Sequence, residues 1–206
     1  MVGNTSFAAE YLKIKRRLFD KYYGFLNKEQ RDAVYTTEGS VLILAGAGSG
    51  KTTVLVNRIV FIVKYGNAYY SEYVPHDLDE NKIKSMREAL LLEGEELERA
   101  LGAFSSAPCA PWNMLAFTFT NKAASEIKKR LASALGSEDA ANHTVKLVSS
   151  VDTVGLGINE TNFMINVKSK FVGLFQAYNV TGRNLHCLVC KLDQLLCFAT
   201  ALQTDD

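Results

Sequence analysis

Apolar residues fall along this chain in two periods. Val41-Leu-Ile-Leu44 is an uninterrupted apolar run, the pattern of a strand buried on both faces, and Met114 to Thr118 reads as a second core strand. Elsewhere the spacing is helical. Ala8 to Tyr23 has apolar positions at Leu12, Leu18, Phe19, Tyr22 and Tyr23, and a basic remainder of Lys13, Lys15, Arg16, Arg17 and Lys21, read here as a solvated face. Asn27, with Gln30 three residues on, has the form of a capping box opening a second helix. Val54 to Ile59 begins a third, and Asn121 to Leu135 another, with Lys128, Lys129 and Arg130 toward its C-terminal half. Gly66 to Pro75 is turn-rich, and Asp79 to Leu92 and Glu95 to Phe104 read as two short helices with Ile83, Met86, Leu90, Leu97 and Leu101 inward. Strands each followed by a helix predict an α/β domain, a parallel sheet flanked by helices, with a helical hairpin inserted over residues 66–107.

Composition narrows this picture only slightly. The chain has 206 residues, 48% of them hydrophobic, and a formal net charge of +1, so bulk electrostatics name no partner. Locally the balance differs: nine acidic and four basic residues lie between Glu72 and Gly102, a net charge of −5 that repels phosphate. Asp79-Glu80 follows no apolar strand and is rejected as a metal-binding pair. No apolar run approaches the ~18 residues of a membrane span. Met1 to Phe7 lacks a signal-peptide core, and four cysteines without a regular framework fit a reducing, cytoplasmic setting.

The chemistry concentrates where the first strand ends. Ala45-Gly-Ala-Gly-Ser-Gly50 is a small-residue turn closed by Lys51 and Thr52 and followed at once by helix. Strand, Gly-rich turn, Lys-Thr and helix is the context of a phosphate-binding loop. Glycines let successive backbone N–H groups turn around an anion, and the helix N-terminus adds unpaired donors and a partial positive charge. Lys51 is placed to reach the β- and γ-phosphates, and the Thr52 hydroxyl to ligate Mg²⁺. Ala45 stands where the general pattern has glycine, which a methyl group permits if φ there stays negative. Gln30, just upstream, carries an amide that could pair with both edges of adenine.

Leu26-Asn27-x-x-Gln30, Ala45-Gly-Ala-Gly-Ser-Gly-Lys-Thr52 and Leu115-Ala-Phe-Thr-Phe-Thr-Asn-Lys-Ala-Ala124, in this order, resemble a superfamily 1 DNA helicase of the UvrD/PcrA/Rep type. The resemblance covers roughly residues 24 to 66 and 108 to 135. It implies an incomplete RecA-like P-loop domain that uses ATP and Mg²⁺. Ala45, Gly46, Ala47, Gly48, Ser49, Gly50, Lys51 and Thr52 would hold the phosphates, with Lys51 and Thr52 in the catalytic roles, and Gln30 would read adenine. Phe119, Thr120, Asn121 and Lys122 would line a single-stranded DNA channel, the ring stacking a base and the polar groups meeting phosphates. An Ala-first loop is usual in such helicases. An arginine often follows their Lys-Thr and packs on adenine; here Thr53 takes its place.

The division expected on this basis is 1–65 for the N-terminal helix, adenine motif and phosphate loop, 66–107 for the insertion, 108–142 for the continued domain, and 143–206 for a divergent or frame-shifted tail. The first 142 residues hold 35 charged side chains and the last 64 hold ten. Val145 to Val154 offers a strand with, at best, a degenerate form of the next helicase motif, and no Asp-Glu pair follows an apolar strand downstream. His186, Cys187, Cys190 and Cys197 have a metal-like spacing in an apolar helical or strand pattern and are read as buried free cysteines rather than a zinc site. The resemblance thus implies the N-terminal part of a helicase that translocates 3′-to-5′, truncated or divergent after about residue 142. The alternatives are a module that binds ATP and single-stranded DNA without turnover, or a non-functional fragment.

Overall fold

A computed structural model of the chain describes residues 3–39, 41–45, 48–111, 114–118, 121–136, 185–191 and 196–201. In chain order its elements are α1 (Gly3–Tyr22), α2 (Lys28–Tyr35), β1 (Val41–Leu44), α3 (Lys51–Tyr65), α4 (Glu80–Ala89), α5 (Gly94–Gly102), β2 (Met114–Thr118), α6 (Asn121–Leu135), β3 (Leu185–Lys191) and β4 (Leu196–Ala201). They divide into two compact units, residues 1–37 with 64–108, and residues 38–63 with 109–206. The expected Val145–Val154 strand lies outside the described residues.

In the first unit, α1 packs against α4 and α5, so the N-terminal helix and the α4–α5 hairpin share one core. Tyr11, Ile14, Leu18, Phe19 and Tyr23 of this helical segment are buried, as are Ile83, Met86, Leu97 and Leu101 of the hairpin. Leu90, expected inward, is half-buried at the end of α4. Asp79 caps α4 through Lys82 N at 2.8 Å, which accounts for the carboxylate without a metal. Tyrosines fill much of the rest: Tyr35 and Tyr69 stack at 3.9 Å between centroids, and the Tyr35 hydroxyl donates to the Phe19 carbonyl at 3.0 Å. The Lys64 ammonium bonds Glu98 at 2.5 Å. Lys15 is buried on α1, its ammonium donating to the Ser71 carbonyl, and burial pushes its pKa down to about 8.

The chain on either side of the α4–α5 hairpin meets in a parallel bridge between Gly66 and Ser106. Ser106 N donates to the Tyr65 carbonyl at 3.0 Å and Asn67 N to the Ser106 carbonyl at 2.8 Å. Gly66 has φ +63, and a Cβ there would lie 2.0 Å from the Ser106 carbonyl oxygen. Only glycine combines that backbone with so close a neighbour.

The second unit holds the sheet, in the order β1-β4-β3-β2. Its pairing corrects the expectation of a parallel sheet. β1 and β4 are parallel, with Val41 opposite Phe198, but β2 pairs with β3 antiparallel and β3 with β4 antiparallel. A hairpin from the cysteine-rich tail supplies the two middle strands, and a hairpin pairs antiparallel by construction. Met114 and Ala116 of β2 are buried, and α6 covers that strand with Ala124, Ile127 and Leu131 buried. Among the described residues no helix is long and apolar enough to cross a membrane.

Candidate nucleotide-binding site

β1 delivers the chain directly into the loop. Gly48 and Gly50 take φ values of +75 and +82, in the left-handed region where a side chain is strained. Among the described residues Ala107 is the one non-glycine with positive φ, so Ala45 keeps the sign that tolerates its methyl group. Gly46 and Ala47 lie outside the described residues. α3 starts at Lys51, and Val54 N donates to the Gly50 carbonyl at 3.0 Å, closing its first turn. The leading amides of α3 therefore have no carbonyl within the helix to bond.

No acidic side chain sits in that first turn to offset the positive helix end. The Lys51 side chain folds back across the loop, its ammonium donating to the Ala45 carbonyl at 3.1 Å, and the residue is only 8% exposed. A lysine extended into solvent would not sit so. Thr52 is half-buried beside it, and Ser49 is exposed on the loop. Leading amides, a folded-back ammonium and a neighbouring hydroxyl form a donor set suited to the phosphates of a nucleotide and, through Thr52, to Mg²⁺.

The body of α3 is apolar almost all round, with Val54, Leu55, Val56, Ile59, Val60, Phe61 and Ile62 buried. Arg58 is buried among them. Burial pushes its pKa down to about 9, against the opposing influence of Glu38. Nothing in the hydropathy pattern singles this residue out.

Gln30 belongs to the first unit and the loop to the second. On α2 the capping box is complete: Gln30 N donates to Asn27 Oδ1 at 2.8 Å and Asn27 N to Gln30 Oε1 at 3.1 Å. The cap uses Oε1, and reading adenine would call on the amide's acceptor and donors together. Gln30→Glu separates the two roles, since it retains the acceptor for the cap and removes the donors. The expected outcome is a selective loss of about 1–3 kcal/mol in binding ATP, the scale of a bidentate base contact, with GTP binding unaltered. Equal loss for ATP and GTP, measured by calorimetric titration, would leave Gln30 as a cap alone.

The expected DNA-contacting residues are only partly on view. Phe119 and Thr120 lie outside the described residues. Asn121 opens α6, and Lys122 is exposed on its first turn.

The UvrD/REP helicase N-terminal domain family matches residues 26–74 and 97–172, more than half of the chain. The match runs past the compositional change near residue 142. The chain belongs to this family. Among individual proteins it is similar to the ATP-dependent DNA helicase PcrA of Leuconostoc citreum, 38% identical over 116 residues, which is 56% of this chain and 10% of that protein. The PcrA proteins of Bacillus subtilis (strain 168) and Staphylococcus epidermidis are 36% and 37% identical over 111 and 113 residues, 54% and 55% of this chain and 10% of each relative. The chain thus spans about a tenth of the length of these curated relatives.

Proposed function

We propose that this chain is the ATP-binding N-terminal part of an ATP-dependent DNA helicase that couples hydrolysis to 3′-to-5′ movement on single-stranded DNA. The observation that carries this is the Lys51 ammonium folded onto the Ala45 carbonyl at the amino end of α3, beneath a loop with two left-handed glycines. In this reading the second unit is an incomplete RecA-like domain. Lys51 and the loop amides hold the β- and γ-phosphate oxygens, Thr52 holds Mg²⁺, and Gln30 reads adenine. Phe119, Thr120, Asn121 and Lys122 hold single-stranded DNA. The family relation and the PcrA likeness support both ATP and DNA as partners.

A second reading applies to this chain by itself, nucleotide binding without turnover. No Asp-Glu pair follows an apolar strand in its sequence to orient an attacking water. Charge stabilisation by an arginine finger is worth about 10³–10⁵ in rate, and no residue is assigned that role here. Phosphate release, with and without single-stranded DNA, is expected to equal that of Lys51→Ala used as the blank. Hydrolysis above that blank, stimulated by single-stranded DNA, would overturn the second reading and direct attention to Asp152 and Asp193 as the missing acid.

A further inference from the structure

α2 is too short to hold itself in place. A helix of 8 residues, Lys28–Tyr35, is marginal in water alone, so the position of its Gln30 amide is set by what α2 is fastened to. At its carboxyl end Val34 and Tyr35 are buried. Nearer its amino end the fastening is polar. The Arg31 guanidinium, next in sequence to Gln30, donates to the Leu26 carbonyl at 2.6 Å and lies 3.9 Å from the Asp20 carboxylate of α1.

Asp20 gathers the other contacts. The Tyr69 hydroxyl lies 3.3 Å from each of its carboxylate oxygens and donates to them. Burial and that carboxylate push the Tyr69 pKa up to about 12, so the hydroxyl stays a donor at neutral pH. The Tyr69 ring stacks on Tyr35 of α2, 3.9 Å between centroids and 12° from parallel, and meets the Phe19 ring edge-on at 6.3 Å. Tyr69 therefore touches α2 with its ring and Asp20 with its hydroxyl, while Asp20 faces Arg31. A partly exposed ion pair at 3.9 Å contributes little by itself, but a carboxylate already held by a hydroxyl loses less freedom in making it. Asp20 precedes residue 26, where the family match begins.

We propose that Asp20 and Tyr69 are positioning residues for base recognition, fastening α2 so that the Gln30 amide keeps the orientation in which it reads adenine. This rests on the adenine role proposed for Gln30 above. Neither side chain touches the nucleotide; both act through Arg31 and Tyr35. An amide that presents donor and acceptor together tolerates little misplacement, because hydrogen bonds weaken steeply as their angle falls. The contribution of Asp20 and Tyr69 is therefore to preference between bases, and not to holding the triphosphate, which belongs to residues 45–52.

Calorimetric titration of the full chain with ATP–Mg²⁺ and with GTP–Mg²⁺ tests this through the ratio of the two dissociation constants. Tyr69→Phe keeps the ring against Tyr35 and removes the donor, and Asp20→Asn keeps the size and removes the charge. Each is expected to lower the preference for ATP by about threefold or more, against the roughly five- to 150-fold of losing a bidentate base contact outright, with GTP binding unaltered. Added to Gln30→Glu, which has already lost the base contact, Tyr69→Phe is expected to change the ratio no further. Ile83→Val in the hairpin core is expected to lower the melting temperature and leave the ratio at its parent value, which separates positioning from a general loss of stability. A parent ratio in Tyr69→Phe or Asp20→Asn, equal loss for ATP and GTP in either, a further fall in the double variant, or a lowered ratio in Ile83→Val overturns the proposal. If Gln30→Glu loses the preference while Tyr69→Phe and Asp20→Asn keep it, the adenine role of Gln30 stands and the positioning proposal alone fails. A parent without preference for ATP, or a Gln30→Glu variant that keeps it, removes the adenine role and this proposal with it.

Discussion

Gly66→Ala is expected to destabilise the first unit severely. At φ +63 an alanine pays roughly 1–3 kcal/mol for a left-handed backbone, and its methyl group would sit 2.0 Å from the Ser106 carbonyl oxygen and 2.3 Å from that of Ala107. Those neighbours are backbone, so relief requires opening the bridge that joins the chain on either side of the α4–α5 hairpin, a further cost of about 1–3 kcal/mol on the scale of overpacked cores. Against a typical total stability of about 5–15 kcal/mol, the sum is large. Gly94→Ala isolates the backbone term, because Gly94 has φ +53 and a Cβ added there would meet nothing within 4 Å. Urea unfolding followed by near-ultraviolet circular dichroism reports on this unit, which holds eight of the nine tyrosines. The expected order is parent, then Gly94→Ala, then Gly66→Ala well below. Equal midpoints for the two variants would show that the bridge yields without cost.

What the sequence displayed most clearly was whatever depends on contiguous residues. β1, the loop and α3 follow one another without a gap, and both the glycine positions and the Asn27–Gln30 box are local devices whose residues lie within a few places of each other. The hairpin helices were legible for the same reason, through the 3.6-residue spacing of Ile83 and Met86, and of Leu97 and Leu101. α1 begins five residues before the expected Ala8, because Gly3 to Phe7 has no apolar period to mark it.

Strand order was not legible. Whether β1 meets β2 or a distant segment depends on pairing across more than a hundred residues, and a short apolar run such as Leu185–Lys191 reads equally as helix or strand. The mixed sheet follows from that hairpin lying between β1 and β2. The two buried bases were missed for a different reason. Lys15 and Arg58 fall on faces that a hydropathy pattern assigns by charge to solvent, whereas a long aliphatic stem can pass into a core and leave its head on a carbonyl, as Lys15 does on Ser71. The shared core of α1 with the α4–α5 hairpin was likewise beyond reach, since no local signal links residue 14 to residue 83.

Loss of the Lys51 side chain is expected to remove most nucleotide binding. The ammonium that now donates to Ala45 would exchange that carbonyl for phosphate oxygens, and hydrogen bonds to a charged group are worth roughly 1.5–3 kcal/mol each, or about ten- to a hundredfold in affinity. Thermal unfolding titrated with ATP–Mg²⁺, with each protein compared with its own nucleotide-free melt, tests the phosphate site most directly. At about 100 times its dissociation constant ATP is predicted to stabilise the parent by about 2.7 kcal/mol and, at the same concentration, to stabilise Lys51→Ala far less. Equal stabilisation of both proteins, or none in the parent, would contradict the assignment of residues 45–52 as the nucleotide site.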